Sequence, residues 1–297
     1  SLLRQTYRNL EIIVVDDGSP DGSLAIARSY ARWDPRIRVL RQPNQGLGAA
    51  RNTGLAAATG RYLTFVDSDD LLPRTAISTM VRTLEDTGSD FVVGGLRRFE
   101  EGVKPQTPPW VKQTHRRQRL HIRLDDYPDI LRNVFAWNKM FDREFFVREV
   151  GGFPVSVRYE DQEATAKAYL RGTFDVLNVN VYLWRRRIEG TSITQQKTDP
   201  ADLADRLEVK GAVSRLMAAE ASPAVFQAWM AKAIGFDLRP YLEQIPRTGE
   251  EFWLRFREGI LGFVEVASDD IWRSVSLVDR YPALCVRDGH RDDAVRF

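Results

Sequence analysis

Over the first 95 residues, short runs of β-branched and other apolar residues alternate with longer stretches whose apolar positions recur at helical spacing. Glu11-Ile12-Ile13-Val14-Val15-Asp16 holds a continuous apolar run, the pattern of a strand buried on both faces. Asp17-Gly18-Ser19-Pro20-Asp21-Gly22-Ser23 follows, dense in turn residues and ending on a serine suited to cap a helix. Leu24 to Trp33 reads as that helix, Arg36 to Leu40 as a second strand, and the alanine-rich Gly46 to Thr59 as a helix closed by Gly60. Arg61 to Val66 reads as a third strand, Thr75 to Thr87 as a helix closed by Gly88, and Asp90 to Val93 as a fourth strand. This rhythm predicts an α/β architecture: a mixed, mostly parallel sheet flanked by helices.

The rhythm breaks from about Gly94 to Leu124. Pro105, Pro108, Pro109 and the basic group His115-Arg116-Arg117-Gln118-Arg119 predict a long excursion, a hairpin or a surface loop. Helices are expected around Asp126–Phe135, Arg143–Val150 and Glu160–Arg171, then a strand over Phe174–Trp184. After about Lys197 the pattern is amphipathic and helical through Leu242, and again from Gly249 to Val266. The expected division is a catalytic domain over 1–197 and a helical extension over 198–297.

Composition narrows the function classes. With 43 basic and 41 acidic residues the formal net charge is +2, without the basic excess of a nucleic-acid binder. The single cysteine, Cys285, excludes an intrachain disulfide and a cysteine metal cage, and fits a reducing cytoplasm. No run of about 18 apolar residues is present. His115, His121 and His290 lack metal-ligand spacing with one another or with cysteine. The chain opens on Ser1-Leu2-Leu3-Arg4-Gln5, which reads as the tail of a helix already under way, so an N-terminal truncation is expected.

The strongest chemical signal is Thr64-Phe65-Val66-Asp67-Ser68-Asp69-Asp70, three carboxylates at the C-terminal end of an apolar strand. That end is where open α/β sheets bind ligands. In an extended segment, Asp67 and Asp69 project to one side about 6–7 Å apart. A divalent cation relieves the repulsion between them, and Mg²⁺ or Mn²⁺ suits an oxygen-only site that leaves room for phosphate oxygens. The bland alternative is that Asp69 or Asp70 caps the next helix.

Val14-Val15-Asp16-Asp17-Gly18-Ser19, then Asn44-Gln45-Gly46-Leu47-Gly48-Ala49-Ala50-Arg51-Asn52, then Asp67-Ser68-Asp69-Asp70, taken in that order, resemble the inverting family-two glycosyltransferases of the GT-A fold. The resemblance covers roughly residues 1–195. That family opens with one more strand, whose segment is not seen here. The resemblance implies that Asp17 accepts the ring N–H of uracil, or contacts another base, with Asp16 behind it. An Asx-turn holding Gly18 and Ser19 is the local alternative. It also implies Arg51 near the base or ribose, or else a solvated arginine, and Asn44 and Gly46 shaping the loop around the nucleotide. Asp67 becomes the ribose- and metal-side carboxylate, Asp69 the direct metal ligand, and Asp70 a supporting group.

Arg158-Tyr159-Glu160-Asp161-Gln162-Glu163 stands at a helix start after Gly151-Gly152-Phe153-Pro154. The resemblance implies that Asp161 is the general base that takes the proton of the acceptor hydroxyl, in a single inverting displacement. The ordinary alternative is that these acids complement the helix dipole. Trp137-Asn138-Lys139 is implied to line the sugar and acceptor pocket with Glu160, or else Trp137 is a core residue beside Phe135 and Met140. Trp184-Arg185-Arg186-Arg187-Ile188-Glu189-Gly190-Thr191-Ser192-Ile193-Thr194 resembles a loop that folds over the donor, Arg187 and then Arg185 offering guanidinium to the diphosphate, or else the three arginines are solvated or pair with surface acids.

The resulting expectation is a metal-dependent transferase moving sugar from a nucleoside-diphosphate sugar, UDP-GlcNAc or UDP-Glc first, to an acceptor hydroxyl. The later motifs and the helical tail are similar to bacterial wall teichoic acid and capsule glycosyltransferases, which implies a polysaccharide or polyol-phosphate acceptor. The tail Tyr281–Asp293 resembles linkers that precede a further domain. The expected place is the cytoplasm, with peripheral contact at the inner face of the plasma membrane; the basic group His115–Arg123 is a solvated loop or a patch for anionic lipid or a polyanionic acceptor. Two rivals stay open. A sugar-nucleotide nucleotidyltransferase would need a Gly-rich triphosphate loop but no Asp161, and a non-catalytic carbohydrate-binding relative would tolerate loss of Asp69 and Asp161.

Overall fold

A computed structural model describes residues 1–186 and 197–296. The chain forms two compact units: Ser1–Arg123 with Asn133–Arg186, and Leu124–Arg132 with the described residues of Arg187–Phe297. The second break, between Arg186 and Arg187, precedes the expected boundary at 197–198. Leu124–Arg132, expected in the first domain as part of a helix, instead forms two short 3₁₀ turns in the second unit. Ile130 and Leu131 are buried, and the turn packs against a helix of that unit.

The first unit runs β1 (Ile12–Asp16), α1 (Ser23–Trp33), β2 (Ile37–Arg41), α2 (Leu47–Ala57), β3 (Tyr62–Leu63), α3 (Ala76–Thr87), β4 (Phe91–Glu100), β5 (Val103–Gln106), α4 (Pro109–Thr114) and β6 (Arg119–Ile122). After the excursion come β7 (Lys139–Asp142), α5 (Arg143–Phe145, continued by a π turn over Phe146–Val150), α6 (Asp161–Arg171) and β8 (Phe174–Arg185). β1 and β2 pair in parallel, Ile12 opposite Ile37 through Asp16 opposite Arg41. The burial expected on both faces of β1 is not met: Ile13, Val14 and Val15 are half-buried and α1 buries no residue. Ser23 opens α1 rather than capping it, and the Asp21 carboxylate accepts its N–H at 3.0 Å.

The second sheet has the order β3-β7-β4-β8-β6, with β5 paired to β4. It is mixed and flanked by helices, as expected, but among the described residues only β4 and β8 pair in parallel within it. β3/β7, β4/β7, β4/β5 and β6/β8 are antiparallel. The reason lies in the excursion, which returns β7 to run against both β3 and β4, and lays β6 against the edge of β8.

The sheet is held by two apolar layers. Phe91 stacks on Phe141 and Phe174 at 5.5 and 5.2 Å and meets Tyr169 edge-on at 5.3 Å. On α3, Ile77, Met80, Val81 and Leu84 bury in one cluster with Val92, Leu96, Met140 and Tyr182. Each such side chain contributes about 1.5–3 kcal/mol of burial. α3 ends at Gly88, whose φ of +68° suits a left-handed cap.

The basic group expected in a solvated loop is partly structural. His115 is buried, its Nδ1 2.8 Å from Leu177 O and its Nε2 3.0 Å from Asn133 Nδ2, while Arg119 begins β6. That arrangement fits a neutral ring, with Nδ1–H donating and Nε2 accepting.

The second unit is helical: α7 (Pro200–Glu220), α8 (Pro223–Lys232), α9 (Arg239–Leu242), α10 (Glu250–Val266), α11 (Asp269–Ser274), α12 (Leu277–Asp288) and α13 (Arg291–Ala294). Val213, Met217, Trp229, Phe252, Phe256 and Ile260 form its buried apolar interior. Asp237 accepts a hydrogen bond from Lys210 and forms an ion pair with Lys232 at 2.8 Å, and each ammonium also lies over the Trp229 ring.

Candidate active site

β3 pairing ends at Leu63, and the chain continues to Asp67, where the backbone turns: the Asp70 N–H donates to Asp67 O at 3.1 Å. The segment is therefore not extended through Asp69, and the spacing expected from strand geometry does not apply. Ser68 is exposed at the tip, Asp67 and Asp69 are half-buried, and Asp70 is buried. Asp70 caps no helix. Its Oδ1 accepts the Arg185 N–H at 2.7 Å, and its carboxylate also accepts a hydrogen bond from the Tyr182 hydroxyl. Burial pushes the Asp70 carboxyl up to about 7, against these two donors and with Asp69 and Asp67 adding to the rise.

β8 grips this turn at three further points. The Asp67 N–H donates to Tyr182 Oη at 3.1 Å, Arg185 Nε donates to Asp69 O at 2.8 Å, and Leu71 exchanges two backbone bonds with Leu183 at 3.1 and 2.8 Å. The Arg185 side chain, expected on the diphosphate, is thus engaged with the Asp69 carbonyl and lies over Phe99 at 4.8 Å, while its backbone N–H holds the Asp70 carboxylate. Arg187 lies outside the described residues. Nothing in the sequence marked Tyr182, because an aromatic residue in a buried strand reads as core.

α2 carries the other half of the site. Arg51 is 7% exposed; its Nη2 donates to Asp67 Oδ1 at 2.9 Å and its Nη1 to Glu160 Oε1. Burial works against the Arg51 charge, but Asp67, Glu160 and Asp161 outweigh it and raise its pKa. Arg51 was expected at the base or ribose, or in solvent. The structure instead places it as a bridge between the Asp67 turn and the Glu160-Asp161 helix start. One residue on, Asn52 forms a closed pair with Phe153, donating to its O and accepting its N–H at 2.8 Å each. A Cβ on Gly48 would stand 2.1 Å from Pro154 O, so only glycine allows this approach of helix and loop. The loop then passes through Tyr159 at φ +64°, a left-handed conformation that non-glycine residues hold only where surroundings impose it.

Asp161 opens α6 and is half-buried, near enough to Arg51, Glu160 and Lys139 to shift all three. Glu160 is 6% exposed, and burial, with Asp161 beside it, pushes its carboxyl up to about 7 against the pull of Arg51. Its expected place in an acceptor pocket is not met, since the carboxylate faces Arg51.

Trp137 and Asn138 are corrected in the same sense. Trp137 is 4% exposed, stacked on Tyr182 at 4.2 Å and on Phe135 at 4.7 Å, which leaves its indole to the core rather than to a sugar. Asn138 is fully buried and donates to Gly94 O at 2.7 Å, joining the segment to β4. Lys139, also fully buried, donates to Asn133 O, Asn133 Oδ1 and Phe135 O at 2.9, 2.9 and 2.6 Å. Burial holds its ammonium pKa well below the usual value. The Trp-Asn-Lys segment is therefore a support beneath the site.

Asp17 lies where β1 ends, and its carboxylate collects three donors from the loop ahead of α2: Gln42 Nε2 at 2.8 Å, Gln45 N–H at 3.0 Å and Gly46 N–H at 2.8 Å. Asp16, not Asp17, makes the local turn contact, with Ser19 N–H 3.4 Å from its Oδ1. Asp67 and Asp69 can offer oxygen to a divalent cation from one turn. Among the described residues, no cluster of three or more His, Cys, Asp or Glu side chains could hold one. A cation held there would take its remaining ligands from phosphate oxygens and water.

Comparison with known proteins gives this geometry a family. The model of glycosyl transferase family 2 matches residues 1–148. Glycosyltransferase GlyG of Streptococcus pneumoniae serotype 4 is 33% identical over 221 residues, 70% of this chain and 71% of its own. The chain belongs to glycosyltransferase family 2. The putative glycosyltransferase EpsH of Bacillus subtilis is 35% identical over 199 residues, 66% of this chain and 57% of its own. The chain thus spans well under two thirds of the length of EpsH. Among solved structures, Staphylococcus aureus TarS 1–349 in complex with UDP superposes with a TM-score of 0.80 at 19% identity, covering 99% of this chain and 83% of that one. The TarS complex with UDP-GlcNAc gives 0.78 at 21% identity over the same shares. At such identities the likeness bears on the fold, which is GT-A.

Proposed function

We propose that this family 2 chain carries the donor site and general base of a metal-dependent, inverting glycosyltransferase using a UDP-linked sugar. The observation that carries the reading is the buried Arg51 bridge, which gathers the Asp67 turn and the Asp161 helix start, 94 residues apart in sequence, at one place. In this reading Asp161 takes the acceptor O–H proton as that oxygen bonds the anomeric carbon. The carbon–oxygen bond to the diphosphate breaks from the opposite side, its electron pair leaving with the nucleotide.

Asp67 and Asp69 would hold Mn²⁺ or Mg²⁺, which when bound supplies positive charge to the leaving diphosphate. Arg51 fixes Asp67 in place and offsets the carboxylates around Asp161. Asp17 shapes the Gln42–Gly46 loop, and a carboxylate with about four lone-pair sites keeps one for a base N–H. Arg185 supports the Asp69 turn, and Arg187 is assigned to the diphosphate. TarS, of like fold, is known with UDP and with UDP-GlcNAc, which supports a uridine nucleotide here. The acceptor class assigned is a hydroxyl of a surface polysaccharide or polyol phosphate, met at the membrane face. Among the described residues, no helix is long and apolar enough to cross a membrane.

The test is UDP release from a panel of UDP-sugars with Mn²⁺ or Mg²⁺, and the anomeric configuration of the product by NMR. Inverted product, lost in Asp69→Ala and Asp161→Asn, is expected. Retained configuration would overturn the single displacement, and pyrophosphate-dependent UTP formation would instead identify a nucleotidyltransferase.

A further inference from the structure

We infer that Tyr182 is a positioning residue whose hydroxyl latches the Asp67–Asp70 turn to β8 in the shape that receives the diphosphate. The inference rests on the donor-site reading above. Regular pairing stops at Leu63, so the carboxylates of Asp67 and Asp69 stand on a turn whose tip, Ser68, is exposed. A turn bond, from Asp70 N–H to Asp67 O, closes it from within. Its orientation must then come from outside.

Tyr182 supplies that orientation at both ends. Its Oη accepts the Asp67 N–H at 3.1 Å, and its O–H hydrogen-bonds the Asp70 carboxylate. A phenol has one proton and can accept as well, so both capacities are used across the turn. The ring is fully buried and stacked on Trp137 at 4.2 Å, which fixes the hydroxyl. Trp137 is in turn stacked on Phe135 at 4.7 Å. The same stretch of β8 holds Leu71 through Leu183, and Asp69 and Asp70 through Arg185. β8 therefore sets the turn, and the Trp137 segment, expected to touch sugar, acts one layer below it.

The test variant is Tyr182→Phe, which keeps the ring and its stacking and removes only the hydroxyl. Amide hydrogen exchange over residues 64–72 reads the latch with no donor present, and titration of UDP with Mn²⁺ reads its use. Faster exchange confined to that segment is expected, together with UDP affinity weakened about 10–100-fold, the usual cost of losing a support behind a metal ligand. In turnover the effect falls on KM for the donor and on the Mn²⁺ requirement, with kcat changed by less than about threefold. Tyr182→Leu, which also opens the core, lowers the melting temperature much further and separates a packing effect from a latch effect. Unchanged exchange over 64–72 in Tyr182→Phe would overturn the latch. Faster exchange with unchanged UDP affinity would overturn its positioning role. A wild-type chain that shows the latch by exchange but binds no UDP with Mn²⁺ would overturn the donor-site reading instead.

Discussion

Replacing Arg51 by methionine keeps a long apolar stem and removes the cation that joins Asp67 to Glu160. Removing one partner of a buried ion pair generally costs about 3–5 kcal/mol, because the remaining charge is stranded. Here the stranded charge has an exit, since the Glu160 carboxyl already sits at about 7 with Arg51 opposite it. Without Arg51 its pKa rises further, and Glu160 folds as the neutral acid. At pH 5.5 Glu160 is mostly neutral in both proteins, so the variant loses hydrogen bonds without stranding a Glu160 charge, about 1–3 kcal/mol. At pH 8.5 the full cost of about 3–5 kcal/mol returns. A carboxyl raised from 4.5 to about 7 gives stability that is present below 4.5 and lost as pH rises through 7. The assay is urea unfolding of wild type, Arg51→Met, and Arg51→Met with Glu160→Gln, at both pH values. The double variant should regain at least about 1 kcal/mol at pH 8.5 and little at pH 5.5. Equal costs at the two pH values, or strict additivity at pH 8.5, would refute the bridge as the site's organising contact.

Three further outcomes follow from other parts of the structure. His115 is held at about 4 by burial, against the Leu177 carbonyl and with Lys139 adding, so stability should be full above 6.5 and fall through pH 4 by about 3 kcal/mol; His115→Gln should flatten that limb in urea midpoints measured from pH 4 to 7. Gly48→Ala forces the Pro154 carbonyl away from α2, which should cost about 1–3 kcal/mol in thermal or urea unfolding and slow turnover through the displaced Asp161 helix start. Asp237→Ala leaves Lys210 and Lys232 without their shared carboxylate and should destabilise the second unit by about 3–5 kcal/mol, read from the unfolding of peptides of that unit by hydrogen exchange.

The acids at the ends of elements were legible because they announce themselves locally. Asp67-Ser68-Asp69-Asp70 ends an apolar run, and Glu160-Asp161 begins a helix; both are read within a window of a few residues. What was not legible depends on partners far away in sequence. Arg51 meets Glu160 at a separation of 109 residues, and Tyr182 meets Asp67 at 115. Trp137 and Asn138 look the same to the sequence whether they face a sugar or support β4 from below, and the structure buries both. The strand β7 is four residues long with a lysine at its start, too short for a periodic signal, yet it decides the direction of the sheet around it. Lys139 escapes the rule that lysine is exposed because three carbonyl oxygens converge on its amine.

In the proposed inverting transfer site Arg51 joins Asp67 to Glu160, and the neighbouring Asp161 is the base. The most direct measurement is single-turnover transfer from a UDP-sugar by Asp161→Asn, with UDP affinity measured on the same sample. A rate about 10²–10⁴-fold below wild type at unchanged UDP affinity is expected. A variant that transfers sugar at the wild-type rate would contradict Asp161 as the base.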